Sequence, residues 1–250
     1  MKYPLTFLLF LLFLCQTTSA QNDSIPARKI YSTTRATKVP KIDAILDDAA
    51  WENIPIISDF KQNFPNHGAE CTQKTEVKII YDNTAIYIAA MLFDTRPDSI
   101  AKQLGNRDDN INADNFRVVF DTYNTEQDAF ELFVTASGVQ ADSRFSDYLY
   151  NAVWESAVKI TDKGWSVEIK IPFSALRFPN INSQKWGMQI TRNIVRNGEF
   201  DQWGLLPRGV SNPFKYWGFL AGMENIKQPI RLSLTPFISA YTSHYPANIE

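Results

Sequence analysis

Residues Gly164–Phe178 read GWSVEIKIPFSALRF, and this stretch decides the fold class. Its apolar residues fall on every second position, at Trp165, Val167, Ile169 and Ile171. Since successive side chains of a β-strand point to opposite faces, this period predicts a strand with one buried face. Pro172 has no backbone N–H to donate and is expected to end the strand. We therefore predict a core strand. Glu168, on its other face, is the one residue of the strand for which we consider a role beyond core packing.

Similar segments recur along the chain and are separated by short polar turns. Glu76–Tyr81 and Ala85–Phe93 predict a hairpin closed by Asp82-Asn83-Thr84. Gly164 stands where a tight turn requires a positive φ. Further strands are predicted at Lys29–Thr34 (an edge strand), Asn115–Asp121, Ala129–Thr135, Val139–Phe145, Trp154–Thr161, Trp186–Val195 and Tyr216–Ala221. Because no long segment after the N-terminus has a period of 3.6, the sequence predicts an all-β fold, an antiparallel, jelly-roll-like β-sandwich.

The N-terminus has the pattern of a secretory signal peptide. Lys2 precedes the apolar run Leu5–Leu14, which is too short to span a bilayer, and small residues precede Gln21. We expect cleavage before Gln21 and export to the periplasm, the outer membrane or the cell surface. Cys15 leaves a lipoprotein signal as an alternative. After cleavage Cys71 is the remaining cysteine, so no internal disulfide is expected.

The C-terminal segment differs from the rest of the chain. Apolar and polar residues alternate from Leu232 to Ala240, and Tyr241 and Tyr245 follow, as in the first strand of a membrane β-barrel. A lone strand would leave unpaired edges in lipid, so either it is an edge strand of the sandwich or the chain is cut from a longer protein. We divide the chain into a signal peptide (1–20), a lead with an edge strand (21–37), the sandwich (38–225) and a linker with the start of a truncated barrel (226–250).

Composition and motifs narrow the function classes. A formal net charge of −2 and a pI near 5.8 argue against a nucleic-acid partner. His67 and His244 are the only histidines, and the sequence has no metalloprotease or nucleophile-elbow motif, so nucleophilic and zinc catalysis are not expected. Paired carboxylates for glycoside hydrolysis stay open, because their separation cannot be read from a sequence.

Four motifs, in order along the chain, carry a family resemblance: KIDAILDDAAW (Lys41–Trp51), VKIIYDNTAIYIAAMLFD (Val77–Asp94), DNFRVVFD (Asp114–Asp121) and GWSVEIKIPF (Gly164–Phe173). Together they resemble a carbohydrate-binding module family 9-like domain from Lys38 to about Gly222. The run WGMQITRNIVRNGEF (Trp186–Phe200) is similar to the version near the N-terminus of Bacteroidota-type outer-membrane-barrel envelope proteins. The resemblance implies a sandwich that binds glycan, is often attached to glycoside hydrolases, and is supported by calcium.

The sequence departs from the family where sugar-binding members carry stacking aromatic residues. Ile111 stands three residues before Asp114, and no Trp stands at Val210–Ser211. The candidate carbohydrate-binding residues are therefore Trp203, Trp154, Tyr148, Arg117, Glu131 and Arg192. Core packing is the alternative for the aromatic residues, with Tyr150 and Trp217 as further aromatic candidates. Structural ion pairs are the alternative for the charged residues, joining Glu168 to Arg192 or Arg196, and Arg117 to Glu131.

One loop predicts a metal site. In RDDNINAD (Arg107–Asp114), oxygen-bearing side chains recur at every second position, at Asp108, Asn110, Asn112 and Asp114. Such spacing suits calcium, although Ala113 replaces the turn glycine of an EF-hand. A solvated turn, in which the Asn and Asp side chains bond to their own backbone, is the alternative.

Three functional hypotheses remain. The first is a non-catalytic carbohydrate-binding module of a secreted or outer-membrane protein, serving polysaccharide binding or catabolism. The second is a structural or gating domain that packs on an outer-membrane barrel of the same chain and binds no glycan. The third, a glycoside hydrolase, finds the least support in the sequence.

Overall fold

The structure, a computed structural model of the chain, describes residues 27–147, 149–229 and 236–243. In chain order its strands are β1 (Ile30–Ser32), β2 (Thr34–Arg35), β3 (Lys61–Phe64), β4 (Thr75–Tyr81), β5 (Ala85–Phe93), β6 (Asn115–Asp121), β7 (Phe130–Thr135), β8 (Gln140–Arg144), β9 (Glu155–Thr161), β10 (Gly164–Pro172), β11 (Ser183–Ile194), β12 (Glu199–Gln202) and β13 (Gly218–Glu224). Short 3₁₀ helices lie at Ala49–Trp51, Pro97–Ser99, Val195–Asn197 and Pro213–Tyr216. The predicted signal peptide lies outside the described residues.

The strands form two sheets that pack face to face. The larger sheet has the order β1-β13-β11-β6-β7-β8, and β12 pairs with both β11 and β3 beside this path. The smaller sheet has the order β2-β4-β5-β10-β9. Most neighbours are antiparallel, but β1 pairs with β13 and β2 with β4 in parallel, because the N-terminal lead adds one strand to each sheet. The prediction of an all-β sandwich is confirmed.

β10 lies inside the smaller sheet, between β5 and β9, and supplies the centre of the core. The alternating residues Trp165, Val167, Ile169 and Ile171 are fully buried between the sheets. Gly164 begins the strand at φ +133°, and a Cβ atom there would meet the carbonyl oxygen of Leu92 at 2.1 Å. Close approach of the neighbouring backbone, together with the positive φ, thus requires glycine.

The other face of β10 is also buried, which alternation alone does not indicate. Residues 41–51 cross this face, and Trp51 packs there with Tyr87 and Ala89 in a second apolar cluster. Ser166 and Glu168 are therefore buried under this segment.

Two strands, β3 and β12, were not predicted, because KQNF and EFDQ are short and mostly polar. The strands at Glu76–Tyr81, Ala85–Phe93 and Asn115–Asp121 are confirmed within one residue. Among the residues that the structure describes, no helix combines the length and the apolar character that a membrane crossing needs.

Candidate functional site

The outer face of β6, β7 and β8 carries a mixed polar and aromatic surface. Strand register places Arg117 beside Phe133, and Phe133 beside Ala141. The next row in the same register is Val119, Glu131 and Ser143. The alternate residues of β6 and β7, among them Phe116, Val118, Leu132 and Val134, face the core. Alternation therefore directs both rows away from the core.

A cavity of about 270 Å³ lies over these rows. Arg117, Glu131 and Phe133 form its base, and residues of the 108–110 loop and of β8 form its wall. Its volume is slightly below the range of about 300–1,000 Å³ that is typical of ligand pockets. The space therefore suits one small polar unit better than an extended chain.

Arg117 and Glu131 pair across this floor. Arg117 Nη1 lies 2.8 Å from Glu131 Oε1, and both side chains are partly exposed. The Arg117 guanidinium lies 5.3 Å from the centroid of the Phe133 ring, in a cation–π arrangement. The pair can offer charged donors and acceptors to a ligand, and Phe133 offers an apolar surface beside them.

Arg107 fixes the 108–110 loop, one part of the cavity wall, to β8. Its guanidinium donates to the Asp142 carboxylate, to Gln140 Oε1 at 2.6 Å and to the carbonyl oxygen of Ala152 at 2.9 Å. Asp108 Oδ1 accepts from the backbone N–H of Asp142 at 3.1 Å. These contacts hold the loop against the edge strand β8.

An aromatic group continues the same sheet face. Phe145 follows β8 and is 41% exposed. Its ring lies 5.6 Å from that of Phe214 and 6.3 Å from that of Trp217, both edge-on. Phe214 and Trp217 pack on Val119, which precedes Glu131 in the register row. Polar and apolar groups therefore lie side by side, as a sugar ring requires.

Two predicted stacking residues are buried instead. Trp154 and Trp203 are 5% and 3% exposed and belong to the core. The indole N–H of Trp203 donates to Asp59 Oδ1 at 2.9 Å, and that of Trp154 to Asp142 Oδ1 at 3.2 Å. Core packing, the alternative for both, is what the structure shows, and this corrects their assignment as stacking platforms. Tyr148 lies outside the described residues.

Arg192 does not reach the surface either. It is 1% exposed, and its guanidinium crosses to the smaller sheet, donating to the carbonyl oxygens of Lys74 at 3.0 Å and Phe93 at 2.8 Å. Its assignment as a saccharide ligand is corrected, because these bonds tie the two sheets together.

The predicted ion pairs of Glu168 are wrong. Glu168 accepts from Trp51, while Arg196 makes two hydrogen bonds, of 2.7 and 2.8 Å, to Asp94. Although burial alone would raise the pKa of Asp94, the bonds from Arg196 hold it below its usual value. Burial raises the pKa of Glu168 against the opposing effect of its hydrogen bonds.

The four predicted calcium ligands have different surroundings. Asp108 is directed to β8, and Asn110 and Asn112 are exposed. Asp114 is 1% exposed, and its Oδ1 accepts from the backbone N–H of Val195 at 2.9 Å. Within the described part of the chain its Oδ2 has no hydrogen-bond partner, and burial raises its pKa. Of the four residues, Asp114 is thus the one with a buried carboxylate oxygen that a bound cation could coordinate. Calcium binding stays a prediction.

A larger cavity, of about 500 Å³, lies on the outer face of the smaller sheet. Its lining surface is mostly apolar and includes Ile45, Leu46, Trp51 and Met91, but charged and hydroxyl side chains also line it, at Glu76, Lys78, Lys159, Thr161, Asp162, Lys163 and Ser166. We take the smaller cavity as the candidate because a bonded charged pair, Arg117 and Glu131, and an aromatic ring, Phe133, meet on its floor.

Phe133, Ser143 and Phe145 belong to the candidate face but were not singled out in the sequence. Phe133 lies two residues after Glu131, and the other two alternate along β8 and its end. The same alternation that selected Glu131 could have found Phe133. The contribution of Phe145 depends on how β8 pairs with β7, which the sequence does not specify.

Comparison with known proteins places the chain in a family. The family model described as "Carbohydrate family 9 binding domain-like" matches residues 42–202. A search of the curated proteins finds no match.

Solved structures share the fold at low sequence identity. A family 9 carbohydrate-binding module from Caldicellulosiruptor kristjanssonii in complex with cellotriose is 16% identical, covers 83% of this chain and 100% of its own, and has a TM-score of 0.54. The glucose complex of a family 9 module from that organism is 15% identical with the same coverage and a TM-score of 0.56. A candidate carbohydrate-binding protein from Bacteroides uniformis is 10% identical over 78% of this chain and 99% of its own, with a TM-score of 0.58.

Proposed function

Because the chain belongs to the carbohydrate family 9 binding domain-like family, we propose that it binds a saccharide on the outer face of β6, β7 and β8. The observation that carries this proposal is the Arg117–Glu131 pair, at 2.8 Å, on the floor of the cavity. Charge-assisted hydrogen bonds from such a pair are stronger than neutral ones and suit the vicinal hydroxyls of a sugar. Phe133 and Phe145 supply apolar surface for the sugar's C–H groups.

The saccharide is proposed to contain glucose-like units. The similar modules of Caldicellulosiruptor kristjanssonii are complexes with cellotriose and with glucose. The small volume of the cavity at Arg117 favours the recognition of one terminal unit. A sugar whose hydroxyl groups do not reach Arg117 and Glu131 would displace water from these charged groups without replacing its hydrogen bonds. The arrangement of the hydroxyl groups is therefore expected to decide which sugar binds.

The proposed setting is an exported envelope protein that binds polysaccharide, in a role connected with its catabolism. Support comes from the N-terminal pattern of Lys2 and Leu5–Leu14 and from the similarity of Trp186–Phe200 to envelope proteins. Calcium is proposed as a structural cofactor, with Asp114 as its buried ligand.

A second function, a structural domain against an outer-membrane barrel in the same chain, has one observation in its favour. Phe237, Ile238 and Tyr241 are 87%, 99% and 92% exposed. Apolar side chains with such high exposure support the presence of a surface that another domain or a membrane covers.

Isothermal titration calorimetry of the full chain tests the proposal. Glucose, cellotriose, xylotriose and mannotriose are titrated into the wild type and into Arg117→Met. We expect measurable binding of at least one saccharide, weakened about tenfold or more in Arg117→Met, which corresponds to one charge-assisted hydrogen bond.

A matched control is the Lys170–Glu155 pair, at 2.6 Å on the smaller sheet. Lys170→Met should bind saccharide as the wild type does. Equal affinity of Arg117→Met and wild type would reject this site, and the absence of binding to all four saccharides would favour the structural role.

A further inference from the structure

One thiol and two carboxyl groups meet away from the saccharide face. The nearest ligand atoms of Cys71, Glu199 and Asp201 all lie within 4.8 Å of one another. Cys71 lies in the connection between β3 and β4, whereas Glu199 and Asp201 are alternate residues of β12. Alternate residues of a strand share one face, so β12 presents both carboxyl groups to the thiol.

Glu199 is held in position by its neighbours. Its Oε1 accepts from the backbone N–H of Thr72 at 2.8 Å, and its Oε2 accepts from the Thr72 hydroxyl at 2.6 Å. Asn197 Nδ2 lies 3.4 Å from Oε2. These contacts fix the carboxylate beside the Cys71 loop, as outer partners commonly fix the ligands of a metal.

Asp201 is the unexplained member of the cluster. Its side chain is 0% exposed, and its polar neighbours in the part of the chain that the structure describes are the Cys71 thiol and the Glu199 carboxyl group, with no backbone or cationic donor on either oxygen. A buried carboxylate that lacks such donors is costly, so native structures supply it with a partner or an ion.

The nearest cation does not supply that partner. Arg192 faces Asp201 in the strand register, but its guanidinium donates to Lys74, Thr75 and Phe93. Among the described residues, Arg192 attracts Asp201 electrostatically but makes no hydrogen bond to its carboxylate. Two acidic groups and one arginine therefore leave this buried region short of positive charge.

We propose that Cys71, Glu199 and Asp201 bind a divalent cation of borderline softness, for which zinc is the best match. A thiolate selects zinc over the hard cations calcium and magnesium, and carboxylates complete its usual ligand set. Tetrahedral zinc, at its usual bond lengths, places ligand atoms about 3.3–3.8 Å apart. Since the ligand atoms lie within 4.8 Å of one another, they must close by no more than about 1.5 Å to reach this spacing.

The ion would give the fold a cross-link. It joins the loop before β4 to β12, and thus the smaller sheet to the strand pair β12–β3 of the larger one. With Cys71 as the only thiol in the described residues, this cross-link takes the place of a disulfide. Three protein ligands leave a fourth position for water.

Cobalt and zinc binding to the full chain test the proposal. After chelator treatment, Co²⁺ is titrated and the thiolate-to-cobalt charge-transfer band is recorded, and Zn²⁺ is then titrated in competition with a chromophoric chelator. We expect one ion per chain with a charge-transfer band, and an increase in melting temperature on addition of Zn²⁺. Cys71→Ser should lose the band, and Asp201→Asn should bind Zn²⁺ about tenfold or more weakly.

Two control variants separate this site from adventitious binding. In a chain that keeps its first 20 residues, Cys15→Ser removes the other thiol of the sequence. Asp98→Asn removes an exposed carboxylate, and both variants should retain the band and the zinc affinity. Absence of the band in the wild type would overturn the proposal without any variant. So would a band that persists in Cys71→Ser, or an unchanged zinc affinity in Asp201→Asn.

Discussion

The indole N–H of Trp51 donates to Glu168 Oε1 at 2.8 Å, and both side chains are buried. The other oxygen, Oε2, accepts from the backbone N–H groups of Asp43 and Ala44 at 3.0 and 2.8 Å. One carboxylate of β10 thus satisfies three donors of the segment that covers it. Two of the four sequence motifs, KIDAILDDAAW and GWSVEIKIPF, therefore meet in one contact.

Glu168→Gln should destabilise the fold by about 1–3 kcal/mol, because the amide group brings donors against donors and leaves buried N–H groups without an acceptor. Urea unfolding followed by tryptophan fluorescence measures the loss. Glu155→Gln, at an exposed glutamate of the neighbouring strand β9, should change stability by no more than about 0.5 kcal/mol. Equal effects of the two substitutions would show that the Trp51–Glu168 contact is not structural.

Gly164→Ala should destabilise the fold by about 2 kcal/mol or more. The added Cβ would lie 2.1 Å from the Leu92 carbonyl oxygen, so the β5–β10 pairing must shift. Gly198→Ala is the matched control: φ is +58° and no atom lies within 4 Å of the added Cβ. It should cost about 1 kcal/mol, the usual penalty of the left-handed region. Similar melting temperatures for the two variants would contradict the close approach.

Stability should fall in acid because of the Asp94–Arg196 pair. The pKa of Asp94 is lower in the folded state than in the unfolded one, so its contribution is complete above the unfolded pKa of about 3.9. It is lost as the pH falls from that value through the folded pKa. Asp94→Asn should therefore be less stable than the wild type at neutral pH, with a smaller loss on acidification, whereas the exposed Asp98→Asn should follow the wild type. Parallel pH profiles for Asp94→Asn and the wild type would exclude this linkage.

Much of the fold could be predicted because a period of two reports which face of a strand is buried. The β4–β5 hairpin and β10 follow from this alternation and from their turn residues. The burial of Glu168 could not be predicted, because it depends on residues 41–51, which are more than a hundred residues away in sequence. The short strands β3 and β12 carry polar residues on both faces, so their pairing is decided by tertiary contacts.

The candidate site was predicted less well. Alternation selected Arg117 and Glu131, and register confirms that they are neighbours. It could not tell which aromatic residues meet the opposite sheet, so Trp154 and Trp203 were included although they are core residues. Phe145 faces outward only because β8 continues the register of β7.

Calcium should raise the melting temperature, and a chelator of calcium should lower it, if Asp114 completes a calcium site. Differential scanning fluorimetry with calcium and with magnesium measures the shift. Asp114→Asn should lose the calcium-dependent part, since it removes the charge of the buried donor. No shift with calcium in the wild type would discard the prediction and leave residues 108–114 as a solvated turn.

The most direct test of saccharide binding is an NMR titration of the full chain with cellotriose, followed by amide chemical shifts. We expect the largest changes at Arg117, Glu131, Phe133 and Ser143, with none at Met91 or Lys159 of the smaller sheet, and their loss in Arg117→Met. Changes confined to the smaller sheet, or no changes with cellotriose or glucose at millimolar concentration, would contradict a saccharide site on β6–β8.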